Sequence, residues 1–589
     1  MIFPAKLHKI TILTTNEEKT EVIRQLHKLA AVHITQSPTE TEGLQADTSL
    51  PGTNQIGEAL LQLRYIAEQT NTSTEATTIN KLPTPLLALT EAKAFINKYL
   101  PQVQQLQKEE KTLTQKLQRV QARKEILETI PFEITKQPTL IFEANKEIKI
   151  TIKKGIVHQH KHGNKHYTKI EVQEEHVQAV REALQETELK EINTTFITKN
   201  TKETKQELQR REEELETNIT NNNKQQTTLL GVHTSTLQHL LISLENHYEA
   251  YTLPNKFSRT QELTLITGYC EKKDFKKLKK AIPQATITAQ KADKQAPTKL
   301  ANNKFTTYFE PLTKLFSTPK YTSIDPTFIV SIFFPIFFGL MLADIGYALI
   351  LLALIPIIKN YTHEKWPRRI LTLSAISTML FGAIFGSFFG GLIPLQPIYT
   401  SSFEATIPLL ILSITLGLIH MNLGVLLGLI QAIKNQEKQT WSKAAPFWLL
   451  QLAIAAYFTQ NTTAGHIILA ATAALLIRNQ GVFGIMNLTS YIGQVFSYAR
   501  ILALSLATAG VALAVNTIAE QTLSLGTLGI ALWLIIILAG HAFNFVVSII
   551  GVSINAARLH YVEFFSLFFE GGGELFNPFM RKNYTEVQQ

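Results

Sequence analysis

Two long apolar stretches near the end of the chain each contain an arginine: YIGQVFSYARILALSLA (residues 491–507) holds Arg500, and GHAFNFVVSIIGVSINAARLHYVE (residues 540–563) holds Arg558. Placing a guanidinium near the middle of a bilayer costs roughly 2.5 kcal/mol or more. Arginine cannot avoid this cost by losing its proton, because its pKa stays above about 12. An arginine in such a stretch therefore indicates a route for ions rather than a choice of packing.

Charge is distributed very unevenly along the 589 residues. Of the 57 Lys+Arg and 47 Asp+Glu, only 12 and 10 lie from residue 321 onward. This division predicts a charged cytoplasmic arm over 1–320 and a transmembrane ion-translocation domain over 321–589. The net charge of +10 does not indicate nucleic acid, because the lysines alternate with glutamates on predicted helices and are better explained as solvated faces.

The N-terminus contains no apolar segment typical of a signal peptide, so we expect the charged arm to stay in the cytoplasm. The chain has a single cysteine, Cys270, which excludes an intramolecular disulfide and a multi-cysteine zinc site.

The arm is predicted to consist of two α/β lobes separated by long helices. Strand and helix patterns over 1–50 and 258–295 predict a proximal lobe, and those over 135–195 predict a distal lobe. Between them, residues 55–130 and 200–255 carry leucines at heptad-like spacing, which predicts an antiparallel coiled coil and a dumbbell shape. The alternative is a bundle of unrelated amphipathic helices.

Four histidines of the distal lobe lie close together in the sequence: His158, His160, His162 and His166. Alternate histidines on a strand share one face and could bind a metal. However, lysines lie among them, no carboxylate is near, and the intervening Gly-Asn pair is typical of a hairpin turn. We therefore favour an exposed hairpin tip and assign no metal ligand.

Seven apolar stretches follow residue 321, at about 327–358, 367–395, 406–433, 444–460, 464–480, 482–519 and 525–566. The positive-inside rule places all the basic loops on the cytoplasmic side only if there are eight spans. The first stretch is therefore predicted to form a hairpin that turns near residues 343–346. The last two stretches exceed an upright span and should be tilted. The predicted fold is thus mixed, with α/β lobes on a coiled coil followed by an all-α domain of about eight helices.

Polar residues on the last two stretches recur at helical spacing, which puts them on one face of each helix. Small polar faces can hold membrane helices together, but an arginine at the end of each stripe favours an aqueous, ion-conducting surface. Asp344 is expected at the hairpin turn, as a water-exposed cap or as the partner of an arginine, and Glu563 at the cytoplasmic interface. The residues predicted to line the half-channels are Ser490, Gln494, Ser497, His541, Asn544, Ser548 and Asn555.

Four segments, taken in order, are characteristic: PIFFGLMLADIGY (335–347), SYARILALSLA (497–507), RLHYVEFF (558–565) and FEGGG (569–573). Together they resemble the membrane stator subunit of V-type and archaeal-type rotary ATPases, called subunit I in prokaryotes and subunit a in eukaryotes. The lobe–coil–lobe arm ahead of eight membrane segments is similar to that family as well.

The resemblance implies that ATP is processed on other subunits, and this chain has no GxxxxGK[ST] phosphate loop of its own. It implies that Arg500 faces a rotating ring of small proteolipid subunits in the lipid bilayer, with Arg558 as its companion. It further implies peripheral-stalk helical subunits and a central-stalk adaptor as partners of the arm, no bound cofactor, and the plasma membrane of a prokaryote as the location.

The identity of the translocated ion stays open between H⁺ and Na⁺. Eukaryotic members of the resembled family carry acidic residues where this chain has Met486 and Ser548, and a histidine where it has Thr508. Neutral oxygen and amide groups suit Na⁺ as well as a proton pathway.

Two other functions remain. A secondary transporter or ion channel with a regulatory arm would display inverted repeats, which this sequence does not. A membrane-anchored scaffold would leave the arginines without a role.

Overall fold

The computed structural model describes residues 3–38, 43–69, 82–129, 139–144, 156–162, 165–172, 176–184, 190–192, 196–197, 201–231, 233–362, 364–398, 406–436, 440–480 and 483–582. The chain forms two compact units. The first comprises Met1–Gln45 and Lys256–Met580, and the second comprises Ala46–Asn255 and Arg581–Gln589.

Strands occur only in the first half of the described chain. They are β1 Leu7–Thr15, β2 Val32–Thr35, β3 Gln45–Ala46, β4 Thr139–Ala144, β5 Ile156–His162, β6 Lys165–Glu171, β7 Lys190–Ile192, β8 Ser258–Arg259, β9 Leu263–Glu271 and β10 Thr286–Lys291.

Helices make up most of the rest. They are α1 Lys19–Leu29, α2 Thr53–Gln69, α3 Pro85–Thr129, α4 Val177–Leu184, α5 Thr201–Gly231, α6 Thr234–Thr252, α7 Phe275–Ala281, α8 Glu310–Phe316, α9 Thr327–Leu342, α10 Ile345–Tyr361, α11 Trp366–Phe385, α12 Thr406–Lys434, α13 Thr440–Phe458, α14 Thr462–Gln480, α15 Phe483–Ser497, α16 Ala499–Thr522 and α17 Thr527–Arg558.

A sheet in the first unit brings together strands that are more than 200 residues apart in the chain. Strand β1 pairs antiparallel with β9 on one side and β10 on the other, and β2 and β8 also pair with β9. The late strand therefore joins the first, as the sequence predicts, with Ile10 and Ile12 fully buried. Cys270 lies buried in β9, and burial raises the pKa of its thiol to about 11, so the thiol stays protonated at neutral pH.

Long helices dominate the second unit, and α3 and α5 run antiparallel. Asn222 Nδ2 donates to Leu106 O at 3.3 Å, and farther along Lys124 Nζ lies 2.7 Å from Glu212 Oε2. The apolar side chains buried in this part of the unit include Val120, Leu127, Leu208 and Leu215. The region predicted as one helical stretch over 200–255 is divided, because α5 ends at Gly231 and α6 begins at Thr234. The coiled-coil seam and the dumbbell shape stay predictions.

A second sheet in the same unit has the strand order β5-β6-β4-β7. Strands β5 and β6 pair antiparallel with His162 opposite Lys165, which is the hairpin that the sequence predicts. No group of three or more His, Cys, Asp or Glu that could hold a metal occurs among the residues described. A strand that the sequence predicts at 148–152 lies outside them.

The apolar part of the first unit divides where the sequence predicts a hairpin. Helix α9 ends at Leu342 because Ala343 adopts a left-handed φ of 34°, and α10 then begins at Ile345 with Asp344 as its N-cap. A further break at Tyr498 separates α15 from α16, so the sixth apolar stretch is not one uninterrupted α-helix.

Within the described chain, four helical segments are long and apolar enough to cross a membrane: Trp366–Gly391, Thr406–Lys434, Thr489–Leu525 and Thr527–Leu567. Shorter apolar helices accompany them: Thr327–Leu342, Ile345–Tyr361, Ala445–Phe458 and Thr462–Arg478. These segments indicate a membrane protein, whereas the total of eight spans stays a prediction.

We expect Gly268→Ala to loosen the first sheet. A Cβ at this position in β9 would lie 2.4 Å from the carbonyl oxygen of His33 in β2, so the strands would have to separate. Overpacking of this kind costs about 1–3 kcal/mol. Hydrogen–deuterium exchange of the full chain in detergent should show faster exchange of β2 and β9 amides. Gly231→Ala is the control, because its Cβ would meet no atom within 4 Å; equal protection in both variants would contradict the expectation.

Candidate functional site

Arg500 lies in the first turn of α16, directly after the break at Tyr498. Its Nη2 donates to Ser497 Oγ at 3.0 Å, and its Nη1 lies 3.6 Å from Glu563 Oε1. The Arg500 side chain is 21% exposed, whereas the Glu563 side chain is 2% exposed. The guanidinium is therefore held on its inner side by polar groups and remains accessible on its outer side.

The Arg500–Glu563 pair depends on an irregular turn after α17. Residues Leu559–Phe564 form a π-helical turn, which shifts the side chains from the positions that a continuing α-helix would give them. The sequence predicted Glu563 at the cytoplasmic interface and gave it no partner. The structure instead buries it against Arg500. Periodicity could not reveal this contact, because a π-turn changes the angle between successive side chains.

Arg558, the last residue of α17, has a different environment. Its side chain is exposed, and it makes no ion pair or hydrogen bond with the rest of the described chain. The two arginines of the sequence pattern are therefore unequal, since only Arg500 has a buried acidic partner.

The predicted stripe on α17 is divided between interior and surface. Ser548 Oγ donates to Asn544 Oδ1 at 3.1 Å, and Asn544 Nδ2 donates to Tyr347 Oη at 2.8 Å. Since Tyr347 Oη accepts there, its hydrogen is free to donate to His541 Nδ1, 2.8 Å away. His541 then donates from Nε2 to Asn516 Oδ1 at 2.9 Å. His541, Asn544 and Ser548 are thus buried and joined in one hydrogen-bonded chain that links α10, α16 and α17.

The other predicted lining residues are closer to the surface. Asn555 is partly exposed and donates to the carbonyl oxygen of Gly551 in its own helix at 2.8 Å. On α15, Ser490 is exposed, while Gln494 and Ser497 are half-buried.

Asp344 has neither of the environments that the sequence suggested. Its side chain is 3% exposed, and no arginine contacts it among the described residues. Its carboxylate accepts three backbone N–H groups, from Tyr347 at 3.1 Å, Phe389 at 3.0 Å and Gly390 at 2.9 Å, and the hydroxyl of Ser387 at 2.6 Å. Asp344 is therefore a buried cap: it accepts hydrogen bonds from N–H groups that have no helical partner. Because these groups lie both in α10 and in the segment after α11, the carboxylate joins the α9–α10 turn to that segment. The expectations of a water-exposed cap and of an arginine partner were wrong.

Sequence reasoning gave no role to two buried histidines near this site: His560, three residues before Glu563, and His420, whose ring stacks on Phe564. The rings of His420 on α12 and His560 in the π-turn lie 4.9 Å apart, and both residues are fully buried. His420 Nδ1 shares a 2.8 Å hydrogen bond with the hydroxyl of Tyr498, and its ring stacks on Phe564 at 4.1 Å. These contacts pack the segments on either side of Arg500 and Glu563 together.

The site provides a fixed positive charge at the outer surface of apolar helices. A guanidinium in such a setting stabilises the ionised form of any carboxylate that approaches it. The polar groups of α15 nearby offer neutral oxygen and amide ligands.

Comparison with known proteins gives a consistent relationship. The sequence profile of the V-type ATPase 116kDa subunit family matches residues 144–393. A-type ATP synthase subunit I of Pyrococcus abyssi is 30% identical over 376 residues, which are 58% of this chain and 57% of that protein. The subunit of the same name from Methanocaldococcus jannaschii is 32% identical over 413 residues, 59% of each chain.

A bacterial protein is also similar: V-type ATP synthase subunit I of Borreliella burgdorferi is 24% identical over 54% of this chain and 60% of its own. The chain therefore matches less than two thirds of the length of these relatives. Among solved structures, the cytoplasmic N-terminal domain of subunit I, homolog of subunit a, of V-ATPase covers 48% of this chain and 100% of its own at 13% identity. Its TM-score of 0.29 is too low to establish a common fold.

We expect Asp344→Ala to destabilise the apolar helices strongly. Three buried N–H groups and one hydroxyl would lose their acceptor, and leaving buried donors unpaired costs about 1–3 kcal/mol each before relaxation. The apparent melting temperature of the purified chain in detergent should fall well below that of Ser387→Ala, which removes only one donor. Equal melting temperatures for the two variants would contradict this role of the carboxylate.

Proposed function

We propose that the chain is the membrane stator subunit of an A/V-type rotary ATPase, because the profile of the V-type ATPase 116kDa subunit family matches residues 144–393 and two proteins named A-type ATP synthase subunit I are 30% and 32% identical to it. In this proposal Arg500 meets a ring of small proteolipid subunits, each with a buried carboxylate, as the ring rotates in the bilayer. The chain couples that rotation to the movement of H⁺ or Na⁺. Hydrolysis or synthesis of ATP takes place on other subunits.

The observation that supports this function best is the position of Arg500. Its guanidinium is anchored by Ser497 and Glu563, its side chain is still 21% exposed, and it lies on a helical segment apolar enough to cross a membrane. A carboxylate that passes this charge is stabilised in its ionised form and so releases its H⁺ or Na⁺. The same fixed charge repels cations that would otherwise leak past the ring.

Arginine is suited to this task and lysine is not. Lysine can lose its proton when it is desolvated, whereas the guanidinium keeps its charge at every physiological pH. A stator charge that vanished on burial would let the ring carboxylate keep its ion.

Two half-channels lead ions to and from the ring in this proposal, and the structure supports them unequally. Ser490, Gln494 and Ser497 on α15 retain exposure and could contact water or an ion directly. His541, Asn544 and Ser548 satisfy one another and Tyr347, so an ion entering there must exchange with existing hydrogen bonds. Asn555 lies between that network and Arg558 along α17.

The charged region fits the role of an arm that anchors the stator. Its antiparallel helices α3 and α5 offer long polar surfaces to peripheral-stalk helical subunits, and one lobe would contact the central-stalk adaptor. In this arrangement the arm lies in the cytoplasm, and the membrane is the plasma membrane of a prokaryote.

We expect Arg500→Ala to reduce ATP-driven ion transport by about two orders of magnitude, to background, because no charge then drives release from the ring. Arg500→Lys should be similarly inactive, and both complexes should assemble. The measurement is uptake into vesicles that contain the whole complex, with H⁺ and Na⁺ varied independently.

Two variants serve as comparisons in the same assay. Arg558→Ala should lose transport substantially but incompletely, and Glu520→Gln, an exposed position at the far end of α16, should behave as wild type. Transport near the wild-type level in Arg500→Ala would overturn the stator assignment. Copurification of a nucleotide-binding hexamer and a lipid-like ring subunit separates the stator from a transporter, which would bring down neither.

We expect shortening of the arm to uncouple the complex. Gln226 Nε2 lies 3.3 Å from Glu110 Oε2, so residues 111–225 can be replaced by a short Gly-Ser turn between helices already in contact. This change removes the outer part of α3 and α5 with the second sheet. ATP hydrolysis should continue while ion uptake falls several-fold and peripheral-stalk subunits are lost. A fully coupled complex with this deletion would show that the arm does not anchor the stator.

A further inference from the structure

The Arg500–Glu563 ion pair leaves one atom of each side chain without a hydrogen-bond partner. Arg500 Nη1 and Glu563 Oε2 are both buried and have no hydrogen-bond partner in the described chain, although the two side chains approach to 3.6 Å. A buried carboxylate without full hydrogen bonding is unfavourable unless a positive charge compensates it. Glu563 therefore depends on Arg500, and the Arg500 side chain, which is 21% exposed, is not fully paired within the described chain.

The backbone places Glu563 there through a π-helical turn. Such turns are rare in proteins and are frequent at functional sites. Here the turn over Leu559–Phe564 is held by the hydrogen bond from Tyr561 Oη to Leu312 O at 2.6 Å and by the stacking of Phe564 on His420. The carboxylate is thus fixed in position rather than free to follow the guanidinium.

We propose that Glu563 is the resident counter-ion of Arg500, a positioning residue that holds the guanidinium when no ring carboxylate is opposite and competes with that carboxylate when one arrives. The inference rests on the stator function proposed above. As a consequence, the attraction between Arg500 and a ring carboxylate has intermediate strength, because Glu563 partly neutralises Arg500. The arginine then binds each passing carboxylate firmly enough to release its ion but weakly enough to let the ring move on.

Removal of the Glu563 charge should change ion affinity in a defined direction. Without it, Arg500 presents more positive charge, so the ring carboxylate is ionised more readily and binds its own ion less tightly. The other titratable groups near this position are His560 in the same turn, His420 on α12, whose ring stacks on Phe564, and Tyr498 before α16, which bonds to His420. Each of these remains in place in a Glu563 variant.

The first test uses the complete complex in vesicles. Glu563→Gln should raise the Na⁺ concentration for half-maximal transport about tenfold, or move the pH optimum about one unit toward acid if the ion is H⁺. The maximal rate should also fall several-fold. Glu563→Asp, which keeps the charge, should restore both values most of the way, and Glu520→Gln should match wild type. A lower rate with unchanged ion affinity and pH profile would overturn the proposal and leave Glu563 with a structural role only.

The second test needs no rotor and separates this inference from the stator function. In the full chain in detergent, phenylglyoxal should label Arg500 several-fold faster in Glu563→Gln than in wild type, at an intermediate rate in Glu563→Asp, and Arg558 equally in all. Mass spectrometry of the labelled peptides measures the rates. Equal labelling of Arg500 in the three proteins would refute the pairing even if Arg500→Ala abolishes transport. Failure of Arg500→Ala to affect transport, with the labelling difference intact, would instead refute the stator function.

Discussion

A permanent positive charge at the surface of apolar helices is the constraint on which the membrane region depends. Arg500 cannot be neutralised by proton loss, so its surroundings must compensate it. The structure does this with a hydroxyl from the end of α15 and a carboxylate from the turn after α17. Ser497 lies three residues before Arg500, and the π-turn brings Glu563 to the guanidinium.

A second set of polar groups lies buried between the same apolar helices and joins them to one another. Asp344, at the α9–α10 turn, accepts hydrogen bonds from three N–H groups and one hydroxyl. Asn516 donates to the carbonyl oxygen of Phe389, in the segment after α11, at 2.8 Å. From Asn516 the hydrogen-bonded chain continues through His541 and Tyr347. In an apolar environment each unpaired group would be costly, so a fully satisfied chain of this kind fixes the helices relative to one another.

The two systems differ in how completely their polar groups are paired within the described chain. The chain around Asp344 and His541 has its partners within this protein, whereas Arg500, Glu563 and the α15 stripe retain unpaired donors, acceptors or exposed surface. This distinction could not be drawn from residue type, because serines, asparagines and charged side chains occur in both systems.

The sequence by itself determined the features that rest on local chemistry. These are the division into charged and apolar regions, the strand and helix of the first lobe, the hairpin near residue 343, and the unusual cost of Arg500. Tertiary structure alone decided which groups meet. Spacing places His541, Asn544 and Ser548 on one helical face, but only packing against α10 and α16 turns that face inward. Likewise, only the π-turn brings Glu563 to Arg500, since the angle between side chains depends on backbone geometry that periodicity assumes to be regular.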